Sequence, residues 1–163
     1  MPVTLSNIGC TSINEATGIV VGGKQTDSQF ASTAYLYDSK TSQFSQINSM
    51  ENPVINMQCG GVRRANEMLT ICTGGNHGPP VKNTYVFESS TKRLDRKAEW
   101  DLPIDSEGGR LITGTQGRLF YAMTNSKVLE FTEKKVNDLH WNLMNWEIVG
   151  GYLVVVQVDF YQD

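Results

Sequence analysis

Short runs of alternating apolar and polar residues recur along the chain, separated by polar, turn-prone segments. Residues 18–23 form a β-branched run that closes on two glycines, and residues 68–75 form a similar run that also closes on two glycines. An alternating segment follows each of them, at 33–38 and at 83–88. Strict alternation is typical of a strand with one buried face. These segments predict β-strands, and the glycine pairs predict a turn with positive φ or a close approach by another backbone.

The two best-defined units match each other at a nearly constant offset. Tyr37 and Phe87 occupy the same place in their alternating segments, 50 residues apart, and a bulky residue follows each of them seven positions later, Phe44 and Leu94. Polar, turn-prone residues fill both intervals. A match at constant offset indicates an internal repeat, and a repeat of roughly 40 to 50 residues is typical of the four-stranded blades of a β-propeller.

A third unit is present in weaker form, and a fourth begins and stops. Residues 117–123 and 127–131 repeat the two strands without the glycine pair, and an apolar stretch follows after residue 146. The predicted strands lie near 7–13, 18–23, 33–38, 43–48, 55–63, 67–73, 83–89, 94–99, 109–115, 118–123, 127–132 and 139–145. The predicted blades span approximately 1–50, 51–104 and 105–145, with a partial blade at 146–163.

Residues 135–146 carry a second pattern. Val136, Leu139, Leu143 and Trp146 follow one another at spacings of 3, 4 and 3, which fits one face of a helix. We favour a strand here, because the third blade would otherwise lack its outer strand.

The repeat resembles the kelch motif: an apolar strand that ends in Gly-Gly, an alternating Tyr-x-Tyr/Phe strand, and a bulky residue seven positions on. The kelch family usually has Trp at that last place, where Phe44 and Leu94 stand here. Residues 49–53 and 101–103 resemble the family's link between blades. The resemblance covers residues 13–103 most clearly. It implies an all-β fold of kelch-like propeller blades, in the form of a partial propeller or half-ring.

Composition narrows the class of protein. The chain has 163 residues, 39% of them hydrophobic, and a formal net charge of −3. The acidic balance argues against a nucleic-acid partner, and no apolar run is long enough for a membrane span. The densest basic run, at 92–97, contains Asp95 and is interpreted as a solvated strand edge or loop rather than a binding patch.

The cysteines and the N-terminus predict the compartment. Cys10, Cys59 and Cys72 are an odd set with no short spacing, and the N-terminus lacks a basic start and an apolar core. We therefore expect three buried thiols in a reducing compartment, and a cytoplasmic protein.

The resemblance implies where a kelch-like propeller would bind a partner. The loops between the second and third strands and the links between blades map to 24–32, 75–82, 49–56 and 101–107. The polar candidates on these loops are Gln25, Asp27, Asn56, His77, Asp105 and Glu107. We expect a non-catalytic protein-interaction or scaffold module, with no cofactor, no metal ligands and no catalytic residues.

Two alternatives stay open at this point. The kelch family includes a copper-radical oxidase and sugar-isomerising enzymes, so the chain could be a carbohydrate-active enzyme or an oxidoreductase with a site at the channel mouth. It could also be a structural subunit, or a fragment, of a larger assembly. About three and a half blades leave an unpaired sheet edge and an uncovered face. The expected partner is therefore another protein or a second copy that completes the propeller.

Overall fold

The computed structural model describes residues 4–26, 29–64, 67–106, 108–123, 127–133 and 139–144. The first unit is an antiparallel sheet in the order β1-β2-β5-β6, and a small hairpin, β3-β4, extends from the loop between β2 and β5. Its strands are β1 (Gly9–Ser12), β2 (Thr17–Val21), β3 (Lys24–Thr26), β4 (Gln29–Phe30), β5 (Ala34–Asp38) and β6 (Gln43–Gln46).

The second and third units repeat this plan. Each is an antiparallel sheet of four consecutive strands, β7-β8-β9-β10 and β11-β12-β13-β14. The strands are β7 (Gln58–Arg64), β8 (Glu67–Thr73), β9 (Thr84–Glu88), β10 (Arg93–Arg96), β11 (Arg110–Thr113), β12 (Leu119–Ala122), β13 (Val128–Glu133) and β14 (Leu139–Met144). Two short 3-10 turns, Ala98–Trp100 and Thr115–Gly117, lie in the connections.

The predicted strands are confirmed within the described residues, and the helical alternative is wrong for 139–144. Leu139 and Trp141 are buried and alternate with half-buried His140 and Asn142, and Trp141 pairs with Phe131 across the sheet. Alternation therefore governs residues 139–142, and Leu139 and Leu143, four positions apart, lie on the same strand face as well as on the same predicted helix face. The predicted partial blade at 146–163 lies outside the described residues.

The three sheets pack face to face, with a core between each neighbouring pair. The side of the first sheet that faces the second carries small and aliphatic residues, and the opposing side of the second sheet is aromatic. This first core contains Ile19, Val21, Ala34, Met50, Val54, Met57, Cys72, Tyr85, Phe87 and Leu94. The second core contains Val62, Leu69, Ile71, Val86, Trp100, Leu102, Leu119, Tyr121, Met123, Leu129, Phe131, Leu139 and Trp141.

We call the two sides of each sheet its aliphatic face and its aromatic face. The aliphatic face of one blade covers the aromatic face of the next, which is how propeller blades follow one another around a ring. The chain is therefore all-β, with propeller-type blades arranged as a partial propeller. This confirms the expected fold class.

The cysteines depart from expectation. Cys59 and Cys72 lie directly opposite each other on β7 and β8 and form a disulfide, with their Cα atoms 4.1 Å apart, while Cys10 is free and exposed. The expectation of three buried thiols is wrong, because the hairpin brings two of them into register. A disulfide is more typical of an oxidising compartment than of the reducing one that the cysteine spacing predicted. The cytoplasmic localisation stays a prediction.

Candidate functional site

The glycine pairs end β2 and β8 in the same conformation. Gly22 and Gly23 have φ values of 61° and 100°, and Gly74 and Gly75 have values of 69° and 97°. A Cβ on Gly75 would lie 2.6 Å from the carbonyl oxygen of Ile55, closer than real Cβ atoms approach. Each pair therefore supplies both the left-handed backbone and the room that the link between blades needs.

Backbone hydrogen bonds repeat around these glycines. The N–H of Gly23 donates to the carbonyl of Val54 at 2.8 Å, and the N–H of Gly75 donates to the carbonyl of Ser106 at 3.0 Å. The link also donates a hydrogen bond to the loop: the N–H of Val54 donates to the carbonyl oxygen of Ala31 at 3.2 Å. In both blades, the loop after the second strand is thus bonded to the link that follows the fourth.

The loops of neighbouring blades are joined at the same edge. Ile55 and Asn76 exchange two backbone hydrogen bonds of 2.9 Å each, and the N–H of Asn56 donates to the carbonyl of Asn7 at 2.8 Å. These bonds assemble the predicted loops into one continuous surface. We call the described parts of 22–33, 47–57, 74–83 and 97–109 the rim.

Three of the predicted site residues have exposed side chains on the rim. Gln25 lies on β3, His77 lies in the loop after β8, and Asp105 lies in the link before β11. Their three segments are bonded to one another through the backbone as described above. The three residues therefore lie on segments that backbone hydrogen bonds connect.

The other three candidates differ. Asn56 is half-buried with φ of 57°, and its N–H is used in the bond to Asn7, so it has a structural role in joining the loops. Asp27 and Glu107 lie outside the described residues.

An aromatic contact that the sequence did not predict adds to the rim. The ring of Phe30 on β4 meets the ring of His77 edge-on, with centroids 6.5 Å apart and planes at 68°. It brings the loop of the first blade against the loop of the second. The β3-β4 hairpin places Phe30 there, and an extra hairpin inside a loop leaves no trace in the repeat pattern.

The link at 97–109 is held by an ion pair. Both terminal nitrogens of Arg96 contact the carboxylate of Asp101, at 2.5 and 2.6 Å, and the side chains are only 18% and 14% exposed. Asp101 also accepts from the N–H of Thr84 at 2.9 Å. The interpretation of 92–97 as a solvated edge fits Arg93, which pairs with Asp95 in solvent, and fails for Arg96.

A buried tyrosine, Tyr121, is hydrogen-bonded to the rim. The hydroxyl of Tyr121 donates to the side-chain oxygen of Ser106 at 3.1 Å, and the residue is fully buried. Burial raises the pKa of Tyr121, and hydrogen bonds with Ser106 and Gly109 lower it by less. The hydroxyl therefore stays protonated and fixes the link from inside the second core.

Within the ranges that the structure describes, no group of three or more His, Cys, Asp or Glu side chains is placed to hold a metal ion. In the same ranges, no helix is long and apolar enough to cross a membrane.

The fold is similar to that of a solved structure, YjhT. The likeness has a TM-score of 0.70 at 10% sequence identity, and it covers 92% of this chain and 54% of that one. This chain thus spans about half the length of its structural neighbour. No family model matches the sequence, and no curated protein matches it. At this identity the likeness shows the fold alone, an all-β arrangement of propeller blades.

Proposed function

We propose that this chain is a kelch-type protein-interaction module, non-catalytic, whose rim binds another protein. The observation that carries the proposal is the rim itself: loops from two blades, joined by backbone hydrogen bonds, present the exposed side chains of Gln25, His77 and Asp105. A surface of this kind on a rigid sheet scaffold is where binding residues are concentrated in many proteins.

The chemistry of these side chains fits recognition. They are an amide, an imidazole and a carboxylate on three different segments, with the ring of Phe30 beside His77. Polar groups around an aromatic residue are characteristic of protein interfaces. The kelch assignment is supported by the matching glycine pairs and by the equivalent aromatic positions of the blades.

The test is affinity capture from a cell extract, followed by calorimetry with the purified partner. The rim variant combines Gln25→Ala, His77→Ala and Asp105→Ala. We expect a captured protein to bind this variant at least about tenfold more weakly than the wild type, because hot-spot contacts dominate protein interfaces.

A matched control removes three exposed polar side chains from the opposite edge, at the turns after β5 and β9. It combines Lys40→Ala, Thr41→Ala and Ser90→Ala, and it should bind the partner as tightly as the wild type. Capture of no protein, or equal weakening by both variants, contradicts the proposal.

A further inference from the structure

A cavity of about 260 Å³ opens between the second and third blades, at the edge opposite the rim. It lies where the end of β7, the turn before β12 and the end of β13 meet. Its charged lining consists of three arginines and one carboxylate: Arg63, Arg64, Arg118 and Glu130. The described lining is therefore net positive, in a chain whose formal net charge is −3.

The turn before β12 forms one wall of the cavity. This short 3-10 turn, Thr115–Gly117, ends on a glycine with φ of 72°. A Cβ on Gly117 would overlap the side chain of Arg63. The glycine therefore lets the turn of the third blade lie directly against β7, and it brings Arg118 to the same cavity as Arg63.

Arg118 is held in place by two neighbours. Its Nε donates to Oε1 of Glu130 at 2.6 Å, and its guanidinium carbon lies 5.0 Å from the ring centroid of Phe120. The hydrogen bond with Glu130 raises the pKa of Arg118, so the guanidinium stays charged. Only Nε is used in hydrogen bonds with described residues, and the two terminal nitrogens make none.

The carboxylate of Glu130 lies deeper than the cation that it holds. The Glu130 side chain is 10% exposed, whereas that of Arg118 is 39% exposed. The guanidinium is thus fixed from the inner side and open on the outer side. This arrangement orients the terminal nitrogens of Arg118 before any ligand binds.

Arg63 supplies a second guanidinium. Its side chain is exposed, and it makes no hydrogen bond or ion pair with a described residue. Other arginines of the second blade are paired, Arg93 with Asp95 and Arg96 with Asp101. Arg63 therefore offers N–H donors for which the described part of the chain provides no acceptor.

We propose that this cavity binds the oxyanion of a small ligand, a carboxylate or a phosphate group, between Arg63 and Arg118. Guanidinium groups present planar pairs of N–H donors that match both kinds of oxyanion. Glu130 is a positioning residue, because it holds Arg118 and its own negative charge repels the ligand. The buried side chains of Phe131 and Leu139, which also line the cavity, provide apolar contact for the rest of the ligand.

The size of the cavity limits the ligand. Pockets for drug-sized molecules usually have volumes of about 300–1,000 Å³, and this cavity is smaller. We therefore expect a small molecule rather than a large cofactor. The cavity lies at the other edge from the rim, so the inference does not depend on the rim's partner.

The experiment is calorimetric titration of the full chain with sodium phosphate and, separately, with sodium acetate. Ionic strength is held constant with sodium chloride, so that general screening is the same in every titration. We expect saturable binding of at least one of the two anions. Saturation by phosphate alone identifies a phosphate group as the ligand, and saturation by acetate alone identifies a carboxylate.

The variant Arg63→Gln should weaken this binding at least about tenfold, because it removes a charged donor. Its thermal midpoint without ligand should equal that of the wild type, since the side chain has no partner to lose. The matched control is Arg110→Gln, which removes another exposed arginine, at the start of β11 and outside the cavity. It changes the net charge equally and should bind the anion as tightly as the wild type.

The variant Arg118→Lys tests the second guanidinium. Lysine keeps the charge beside Glu130 but lacks the pair of terminal nitrogens, so binding should again weaken about tenfold. Saturable binding of neither anion overturns the proposal. So does equal weakening by Arg63→Gln and Arg110→Gln, or wild-type affinity in both Arg63→Gln and Arg118→Lys.

Discussion

The first and second blades share one plan and differ in what covers them. Their glycine pairs, loop bonds and cross-strand aromatic positions correspond almost residue for residue. Yet Phe87 is buried under the first blade, whereas its equivalent Tyr37 lines an open groove. The same local sequence pattern therefore serves as core in one blade and as surface in the other. The difference comes from the neighbour, which no local pattern encodes.

The largest expected effect separates these two positions. Phe87→Ala should reduce the free energy of unfolding by about 3–5 kcal/mol, because it leaves a cavity between two blades. Tyr37→Ala should cost less than half as much. Both substitutions are measured by urea unfolding of the purified chain. Equal losses would show that the two faces are equally covered within one chain.

The glycine pairs should matter equally in both blades. Gly75→Ala is expected to cost about 2–5 kcal/mol, from left-handed strain and the clash with the link together, and Gly23→Ala should cost a similar amount. Gly78 also has a positive φ, of 91°, but has open space around it. Gly78→Ala should cost only about 1–2 kcal/mol. If Gly78→Ala lowers the free energy of unfolding as much as Gly75→Ala and Gly23→Ala do, the close approach of neighbouring atoms to Gly75 and Gly23 does not explain their cost.

The disulfide belongs to the second blade alone. Reduction of Cys59–Cys72, which are 13 residues apart in sequence, should lower the free energy of unfolding by about 2–3 kcal/mol. Thiol titration of the denatured, unreduced protein should find one free thiol, from Cys10. Three free thiols, with no loss of stability on adding reductant, would contradict the disulfide and agree with the expectation from the sequence.

The smallest effect concerns the ion pair that the second blade has and the first lacks. Arg96 corresponds in register to Gln46, which is exposed. Asp101→Asn should cost about 1–2 kcal/mol, because it weakens charge-assisted hydrogen bonds in a mostly buried site. Asp95→Asn, in the exposed pair with Arg93, should cost less than about 0.5 kcal/mol. If thermal unfolding shows similar losses of stability for Asp101→Asn and Asp95→Asn, the buried ion pair of Asp101 contributes no more than the exposed one.

Much of the fold was predictable because its signals are local and repeated. The alternation around Tyr37 and Phe87 indicated strands, and the glycine pairs indicated turns, since both depend on nearby residues. The disulfide was harder to predict, although Cys59 and Cys72 lie at equal distances from the β7-β8 turn, a symmetry that predicts cross-strand pairing once the turn is known.

The candidate site was predicted less completely. Gln25, His77 and Asp105 are exposed on the predicted loops, and their role in binding stays a prediction. The contact of Phe30 with His77 depends on a hairpin within a loop, and the bond of Asn56 to Asn7 depends on how two blades meet. Both are tertiary effects that spacing along the chain does not reveal.

The equivalence of the first two blades can be tested at a single position. Val20 lies opposite Cys10 on neighbouring strands, as Cys72 lies opposite Cys59. With Val20→Cys, the account predicts a second cross-strand disulfide with Cys10, and thus no free thiol in the denatured, unreduced protein. Two free thiols in that titration would contradict the shared register on which the comparison of the blades rests.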